Sequence, residues 1–527
     1  MKKIILSSMI MLLLFTSCEN YLDVNEDQSN SPYNEAIAPN QMLAGAISNY
    51  AFHQISTLGT FGNRLTYVWG LNSGFTSTDA AYTYVFDSGS YTANFENTFL
   101  FADNFQDILD KKDVFPDYEY HFGIAKVFKV MSMDYATALY GDVPYSEAFK
   151  NSISAPKYDD DKLIIAGLFK ELDEAKAYFN TTNPNVKALS KEDIMFAGDI
   201  AKWKSFTNTV ELRLLLRLSK TTDPTLIALR TARFAAMNAS QNFITTDAAV
   251  NPGYFNGVVT QRTPIFRTYG RNEALSDWTS ANRANAAGDY IIRLLNGNVN
   301  DANVTSTGVS DPRKLKMFTN VAAGLPGAGT QVGNVQGVFP LTEISRMATF
   351  IHGRTGASVD AANKNGIERN AYIMLAAESY FLQAEAFERG YLTGSASAAF
   401  NAGVTASFNF YSTPFGTATV SVINPATYLT AIAGKNGLDY TGSTNKINAI
   451  ITQKYLALSQ WSGIELFIDQ LRTGFPNTPI PVGASKSTRP NRLIYPSSEY
   501  STNSTNVPNV TNDELFTVNA KTPYYLQ

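Results

Sequence analysis

From about residue 93 onward, apolar side chains return at intervals of three and four, the spacing that puts them on one face of a helix. "FENTFLFADNFQDILDKK" is followed, across Asp113 to Asp117, by "YEYHFGIAKVFKVMSMDYATALYG". In the second segment Ile124, Val127, Phe128, Met131, Tyr135, Ala138 and Leu139 mark the stripe, and Gly141 with Pro144 just beyond closes it. The pattern then recurs in pairs. "DKLIIAGLFKELDEAKAYF" precedes "IAKWKSFTNTVELRLLLRLSK", and "RNAYIMLAAESYFLQAEAFERG" precedes "SASAAFNAGVTASFNFY". The last pair runs from "NPATYLTAIAG" to "NKINAIITQKYLALSQWSGIELFIDQLRTG". A separate helix is predicted earlier, over "QMLAGAISNYAFHQIS".

Helix-turn-helix units bury their apolar faces only by stacking on one another. Pairs near 93–141, 160–220, 368–411 and 424–474 therefore predict a mainly α fold, a tetratricopeptide-like array of four helix pairs. Residues 59–92 and 240–365 lack a helical period. The first alternates aromatic with small polar residues, and the second is rich in glycine with short apolar runs. Both are too long for simple connections and predict a second lobe of loops, short strands and small helices, where binding surfaces tend to sit. An extended segment, 475–527, is expected to finish the chain.

Composition agrees with a globular body, with 44% apolar and 17% charged residues. The formal net charge of −4 leaves no basic excess for nucleic acid, whose phosphates demand one. The one cysteine, Cys18, can close no internal disulfide and cannot join a Cys/His zinc set. Before it stand Met1-Lys2-Lys3 and an apolar run from Ile4 to Phe15, broken only by Ser7 and Ser8. That run falls short of the roughly 20 residues that span a bilayer but suits the apolar part of a secretory signal. Phe15-Thr16-Ser17 before Cys18 resembles the lipobox of bacterial lipoproteins, which implies cleavage before Cys18 and its acylation. The expected division is a signal peptide over 1–17, a lipidated spacer over 18–40 and a body over 41–527.

Catalytic constellations are sparse. Glycoside hydrolysis needs two carboxylates about 5 to 10 Å apart. Glu378 and Glu385 lie seven residues apart on one predicted helix, roughly 10 Å along its axis. Arg213 and Arg217 are the partners expected to neutralise them in apolar surroundings. Glu465 and Asp469, four apart, have acceptable spacing, but Arg472 is placed to pair with Asp469 on the helix surface. Asp159, Asp160 and Asp161 precede a helix and read as capping and solvated charge. His53, His121 and His352 have no HExxH partner, and neither a GxSxG elbow nor a GxxxxGK[ST] loop occurs. "GLPGAGTQVG" (324–333) opens no helical pattern and reads as a flexible loop. No catalytic residue, cofactor or metal is expected.

Binding asks for less: an aromatic face with a few polar groups around it, onto which the C–H face of a sugar ring can pack. The irregular segments offer Tyr67, Trp69, Tyr82 and Tyr84 in the first, and Tyr269, Trp278 and Arg283 in the second. Trp203 and Trp461 sit on predicted helices and are expected in the core.

"LYGDVPYSEAF" (139–149), "DIAKWKSFTNTVELRLLLRLS" (199–219), "AAESYFLQAEAFERGY" (376–391) and "QWSGIELFIDQLRTGFP" (460–476) resemble, in order, the signature segments of SusD/RagB proteins. "NYLDVNEDQSNS" after Cys18 and "TRPNRLIYPSSEYSTN" (488–503) resemble that family's start and its C-terminal pattern. The resemblance implies an outer-membrane lipoprotein that binds a nutrient and caps a SusC-like TonB-dependent transporter. Its implied ligand is an oligosaccharide, with a peptide as the alternative cargo and a surface glycoside hydrolase as the less favoured reading. Glu19, Asp23, Glu26 and Asp27 resemble the family's signal for export to the cell surface.

Overall fold

The structure is a computed structural model that describes residues 37–352, 366–415 and 420–527. The lipobox, Cys18 and nearly all of the expected spacer lie outside the described residues.

Helices dominate. They are α1 (Pro39–Phe52), α2 (Gly59–Leu65), α3 (Thr92–Leu109), α4 (Glu119–Tyr140), α5 (Asp161–Phe179) and α6 (Ile200–Arg217). After them come α7 (Pro224–Asn238), α8 (Ala376–Glu388), α9 (Ala396–Ser412), α10 (Lys446–Leu458) and α11 (Gly463–Thr473), with shorter helices between. Helix starts are written in side-chain chemistry. Asp160, Asp199, Ser395 and Asn445 each accept a hydrogen bond from a first-turn amide, and Asp223 does so with Pro224 at the first helical position. Helix α11 stops at Gly474, whose φ of 80° lies in the left-handed region that favours glycine.

Neighbouring helices pack in sequence: α3 on α4, α4 on α5, α5 on α6, α8 on α9 and α10 on α11. Helices α8 with α10 and α6 with α8 join these layers. Helix α4 lies between α3 and α5, so from His121 to Tyr140 only Lys126 and Lys129 escape full burial. One contiguous apolar core runs through the array. Trp203 and Trp461 are in it, at 0% and 2% exposure, and their indole N–H groups donate to Asp193 (2.9 Å) and the Tyr411 hydroxyl (3.2 Å).

Three helices differ from expectation. The predicted second member of the last pair is two helices, α10 and α11, broken at Ser459–Ser462 where Gln460 takes a φ of 73°. Its predicted first member shrinks to Pro425–Ala431. The early helix does not end near residue 56 but runs through a π-helical stretch, His53–Leu58, into α2, so part of the segment read as irregular is helical. The stretch is buried and its polar side chains find partners inside: His53 Nε2 bonds the Thr98 hydroxyl at 2.7 Å and Gln54 donates to the Ile373 carbonyl at 2.8 Å.

Helices α2 and α11 meet backbone to backbone. A Cβ on Gly62 would lie 2.0 Å from the Gly463 carbonyl oxygen, with no flexible side chain to give way. Gly62→Ala is expected to cost about 3 kcal/mol, the upper part of the usual overpacking range, as a lower urea midpoint with an unchanged slope.

The strands are short. β1 (Trp69–Leu71) pairs with β5 (Asn285–Ala287), β2 (Val143–Pro144) with β3 (Tyr158–Asp159), and β4 (Ala248–Val250) with β6 (Ala371–Met374), all antiparallel. In the first of these, Trp69 faces Ala287, which ties residues 59–92 to the segment around 278–347. Gly70 belongs to this tie: a Cβ there would sit 2.5 Å from the Asn334 side-chain oxygen, which accepts the Leu71 amide hydrogen.

Candidate functional site

The aromatic candidates of the first irregular segment are not platforms. Tyr67, Trp69, Tyr82 and Tyr84 are 1–3% exposed, and Tyr269 in the second segment is 0% exposed. Trp69 and Tyr269 pack edge to face at 4.9 Å, the Tyr269 hydroxyl meets Thr60, and the Tyr67 oxygen accepts the Gln336 amide hydrogen at 2.8 Å. Their alternation with small residues serves close approach of backbone inside the lobe, as at Gly70. Burial pushes the hydroxyls of Tyr82 and Tyr84 up to about 12, so they stay protonated.

Trp278 and Arg283 remain open. Trp278 is half-buried and lines a pocket of about 250 Å³ with Asn282, Thr319, Asn320, Glu343 and Arg346. That volume is near the lower end of ligand sites, about 300 Å³ and upward, and suits one ring-sized group. Local chemistry holds the indole in place. The backbones of Arg271 and Trp278 form an antiparallel bridge, and Arg271 stacks its guanidinium 4.4 Å from the indole centroid. The Thr279 hydroxyl accepts the Asn282 amide hydrogen at 3.2 Å, capping the short helix Ser280–Ala284. Asn282 then donates to the Tyr269 carbonyl at 2.6 Å and accepts from Arg346 at 2.6 Å. Arg346 lies 5.9 Å from the Trp278 ring, and burial pushes its guanidinium below its ordinary value against the pull of Glu343. Arg283, on the same helix, is exposed and pairs with Asp277 at 2.9 Å.

The pocket thus combines an aromatic face, a fixed guanidinium, two amides and a carboxylate. It can bind a polar ring. Trp278 was legible in the sequence. Asn282, on the short helix Ser280–Ala284, and Thr319, Asn320, Glu343 and Arg346, from irregular segments, were not, since no local spacing encodes their convergence.

The other carboxylates form a buried network. Arg213 donates to Glu378 at 2.9 Å. Arg217 does not pair with Glu385 but bridges Asp134 (2.7 Å) and Glu465 (2.9 Å). Glu385 takes Arg472 (2.7 Å) and Arg389 (2.8 Å), while Asp469 takes Lys454 and Arg472, both at 2.8 Å. Asp469 and Arg472 are therefore a buried pair and not a surface one, at 4% and 1% exposure. Sequence reasoning missed Asp134 and Lys454, polar positions inside otherwise apolar helices. Burial would raise every acid here. The Arg472 charge overrides it at Glu385, and Lys454 with Arg472 overrides it at Asp469, so both are held below the ordinary carboxylate range. At Glu378 and Asp134 burial prevails and the shift is upward.

The aspartate triplet also divides. Asp160 caps α5, Asp159 accepts from the Tyr145 and Ser146 amides, and Asp161 is buried and accepts the Tyr524 amide hydrogen at 2.6 Å. Burial, with Asp142 nearby, pushes Asp161 up to about 7, so it is not the solvated charge expected. His121 bonds Glu192 at 3.0 Å. Among the described residues no group of His, Cys, Asp and Glu could hold a metal ion, and no helix is long and apolar enough to cross a membrane.

The fold has solved counterparts. A SusD homologue from Bacteroides fragilis NCTC 9343 matches with a TM-score of 0.68 at 21% identity, covering 93% of this chain and 99% of that one. A SusD/RagB family protein from Bacteroides thetaiotaomicron VPI-5482 matches at 0.66 and 19% identity, covering 89% and 95%. A chitin-binding SusD homologue from Flavobacterium johnsoniae matches at 0.65 and 20% identity, covering 88% and 94%. No curated protein matches the chain. A sequence profile of the SusD-like family, described as starch-binding and associating with the outer membrane, matches residues 30–496, and the chain belongs to that family.

Proposed function

We propose that this protein is a non-catalytic glycan-binding lipoprotein of the outer membrane, anchored through Cys18, that delivers an oligosaccharide to a SusC-like TonB-dependent transporter. The observation that carries the reading is the Trp278 pocket, where an aromatic face is held by Arg271 and ringed by Asn282, Asn320 and Arg346. An apolar ring face with a few fixed donors is the general design for a saccharide. The family's description as starch-binding and the chitin binding of the Flavobacterium johnsoniae homologue support a glycan over other nutrients. The non-catalytic reading is supported by the ion network, which ties up Glu378, Glu385, Glu465 and Asp469 away from solvent.

One observation favours a peptide cargo as the second reading. A groove of about 640 Å³ sets the apolar Phe95, Phe99, Leu100 and Phe149 beside the charged Glu96, Asp103, Glu147, Lys150 and Glu499, a mixture that suits the varied side chains of a peptide. Titrating the full chain with starch and chitin oligosaccharides and with mixed peptides, and analysing the saccharides afterwards, separates the readings. Saturable binding of an uncleaved saccharide is expected. Binding confined to peptides, or shortened saccharides, would overturn the proposal.

A further inference from the structure

A guanidinium withdrawn from water costs free energy that a counter-charge ordinarily offsets. Arg489 lacks one. Its Nη2 donates to the Thr478 carbonyl, to the Thr478 hydroxyl at 2.5 Å and to the Pro479 carbonyl at 3.2 Å, all neutral acceptors. The ionisable groups that act on it are the hydroxyls of Tyr84, Tyr455 and Tyr290, and burial pushes it below its ordinary value. Among the described residues no carboxylate forms a salt bridge with it.

Arg489 lines an open, largely polar pocket of about 440 Å³ with Arg293, Asn477, Ser487, Thr488 and Asp301. Arg293 is half-exposed and only loosely paired, 3.6 Å from Asp289. The lining carboxylate, Asp301, turns one oxygen to the amides of Asn303 (2.8 Å) and Val304 (2.9 Å). Two arginines therefore line this space with a single lining carboxylate, Asp301, already partly occupied, and with Asp289 beside Arg293, on a chain whose formal charge is −4.

We propose that this pocket is a binding site for an oxyanion, the carboxylate of a uronic-acid unit or a sulfate, held between Arg489 and Arg293. Arginine presents a planar fork that matches such groups, and Asn477, Ser487 and Thr488 add neutral polar groups around them. The site shares no lining residue with the Trp278 pocket, so either can fail without the other.

The test is calorimetric titration of the full-length protein, at fixed ionic strength, with trigalacturonate, with its neutral methyl ester and with inorganic sulfate. The acid is expected to bind at least tenfold more tightly than its ester, and sulfate to compete with it. Arg293→Gln, at an exposed position that leaves the fold intact, and Arg489→Gln are each expected to weaken the anion tenfold or more. Binding of the acid alone assigns a saccharide carboxylate, and binding of sulfate alone assigns a sulfate; each supports the site. Binding of neither anion, or anion affinity undiminished in Arg293→Gln, overturns it.

Discussion

Arg472→Met is expected to lower the unfolding free energy by about 3–5 kcal/mol, the range found when one member of a buried ion pair is removed. Arg472 is 1% exposed and serves both Glu385 and Asp469. The substitution leaves Glu385 with Arg389 alone and Asp469 with Lys454 alone, in a space where unpaired charge is not tolerated. Urea denaturation followed by circular dichroism reads the loss directly. A change below about 1 kcal/mol would mean that the network is not a structural unit.

The same pair sets a pH limit. Glu385 and Asp469 have folded values held below the ordinary carboxylate range, so the stability they contribute is present above their unfolded values, near 4.5 and 3.8. It is lost as pH falls through their folded values. Glu378 and Asp134 act in the opposite sense: their raised folded values favour the protein at low pH, and that contribution is lost as pH rises through them. Removing Arg472 diminishes the first contribution, most at Glu385, where Arg472 is the principal counter-charge, and leaves the second. Stability of the parent protein is therefore expected to fall more steeply below pH 4 than that of Arg472→Met, measured by urea midpoints between pH 3 and pH 7.

Trp278→Ala is expected to weaken saccharide binding roughly 30-fold, about 2 kcal/mol, the loss typical of a principal aromatic anchor. The fold should tolerate it. Trp278 is half-buried at the edge of the lobe, and the main core is built from other residues, so the unfolding free energy should move by no more than about 1 kcal/mol. Trp69→Ala makes the contrast. Trp69 is 1% exposed and packed on Tyr269, and its loss should cost about 3–5 kcal/mol of stability, as large aromatic truncations do.

The helices were largely legible because each pays for burial with a regular stripe. In α4 the intervals from Ile124 to Leu139 mark the stripe, and the helix packs on α3 and α5 and also on α1 and α6. The break between α10 and α11 falls on Ser459-Gln460-Trp461-Ser462 before Gly463, a mostly polar stretch whose signal was masked by the strong apolar runs on either side, and the close contact of Gly463 with Gly62 fits it. The site was half legible for a related reason. An aromatic in an irregular segment can face either way, and residue type does not distinguish Trp69, paired in β1 and buried, from Trp278, which is half-buried. Arg346 and Asn282 are 64 residues apart and meet only through tertiary structure.

The chain has four tryptophans, and Trp69, Trp203 and Trp461 are at most 2% exposed, so Trp278 is the one a solvent quencher reaches. Acrylamide quenching of intrinsic fluorescence, with and without a saturating starch or chitin oligosaccharide, therefore reports on the proposed site alone. Protection of the accessible component by saccharide is the predicted result. Unchanged quenching when a saccharide is shown to be bound, or protection by peptides and not by saccharides, would contradict the account.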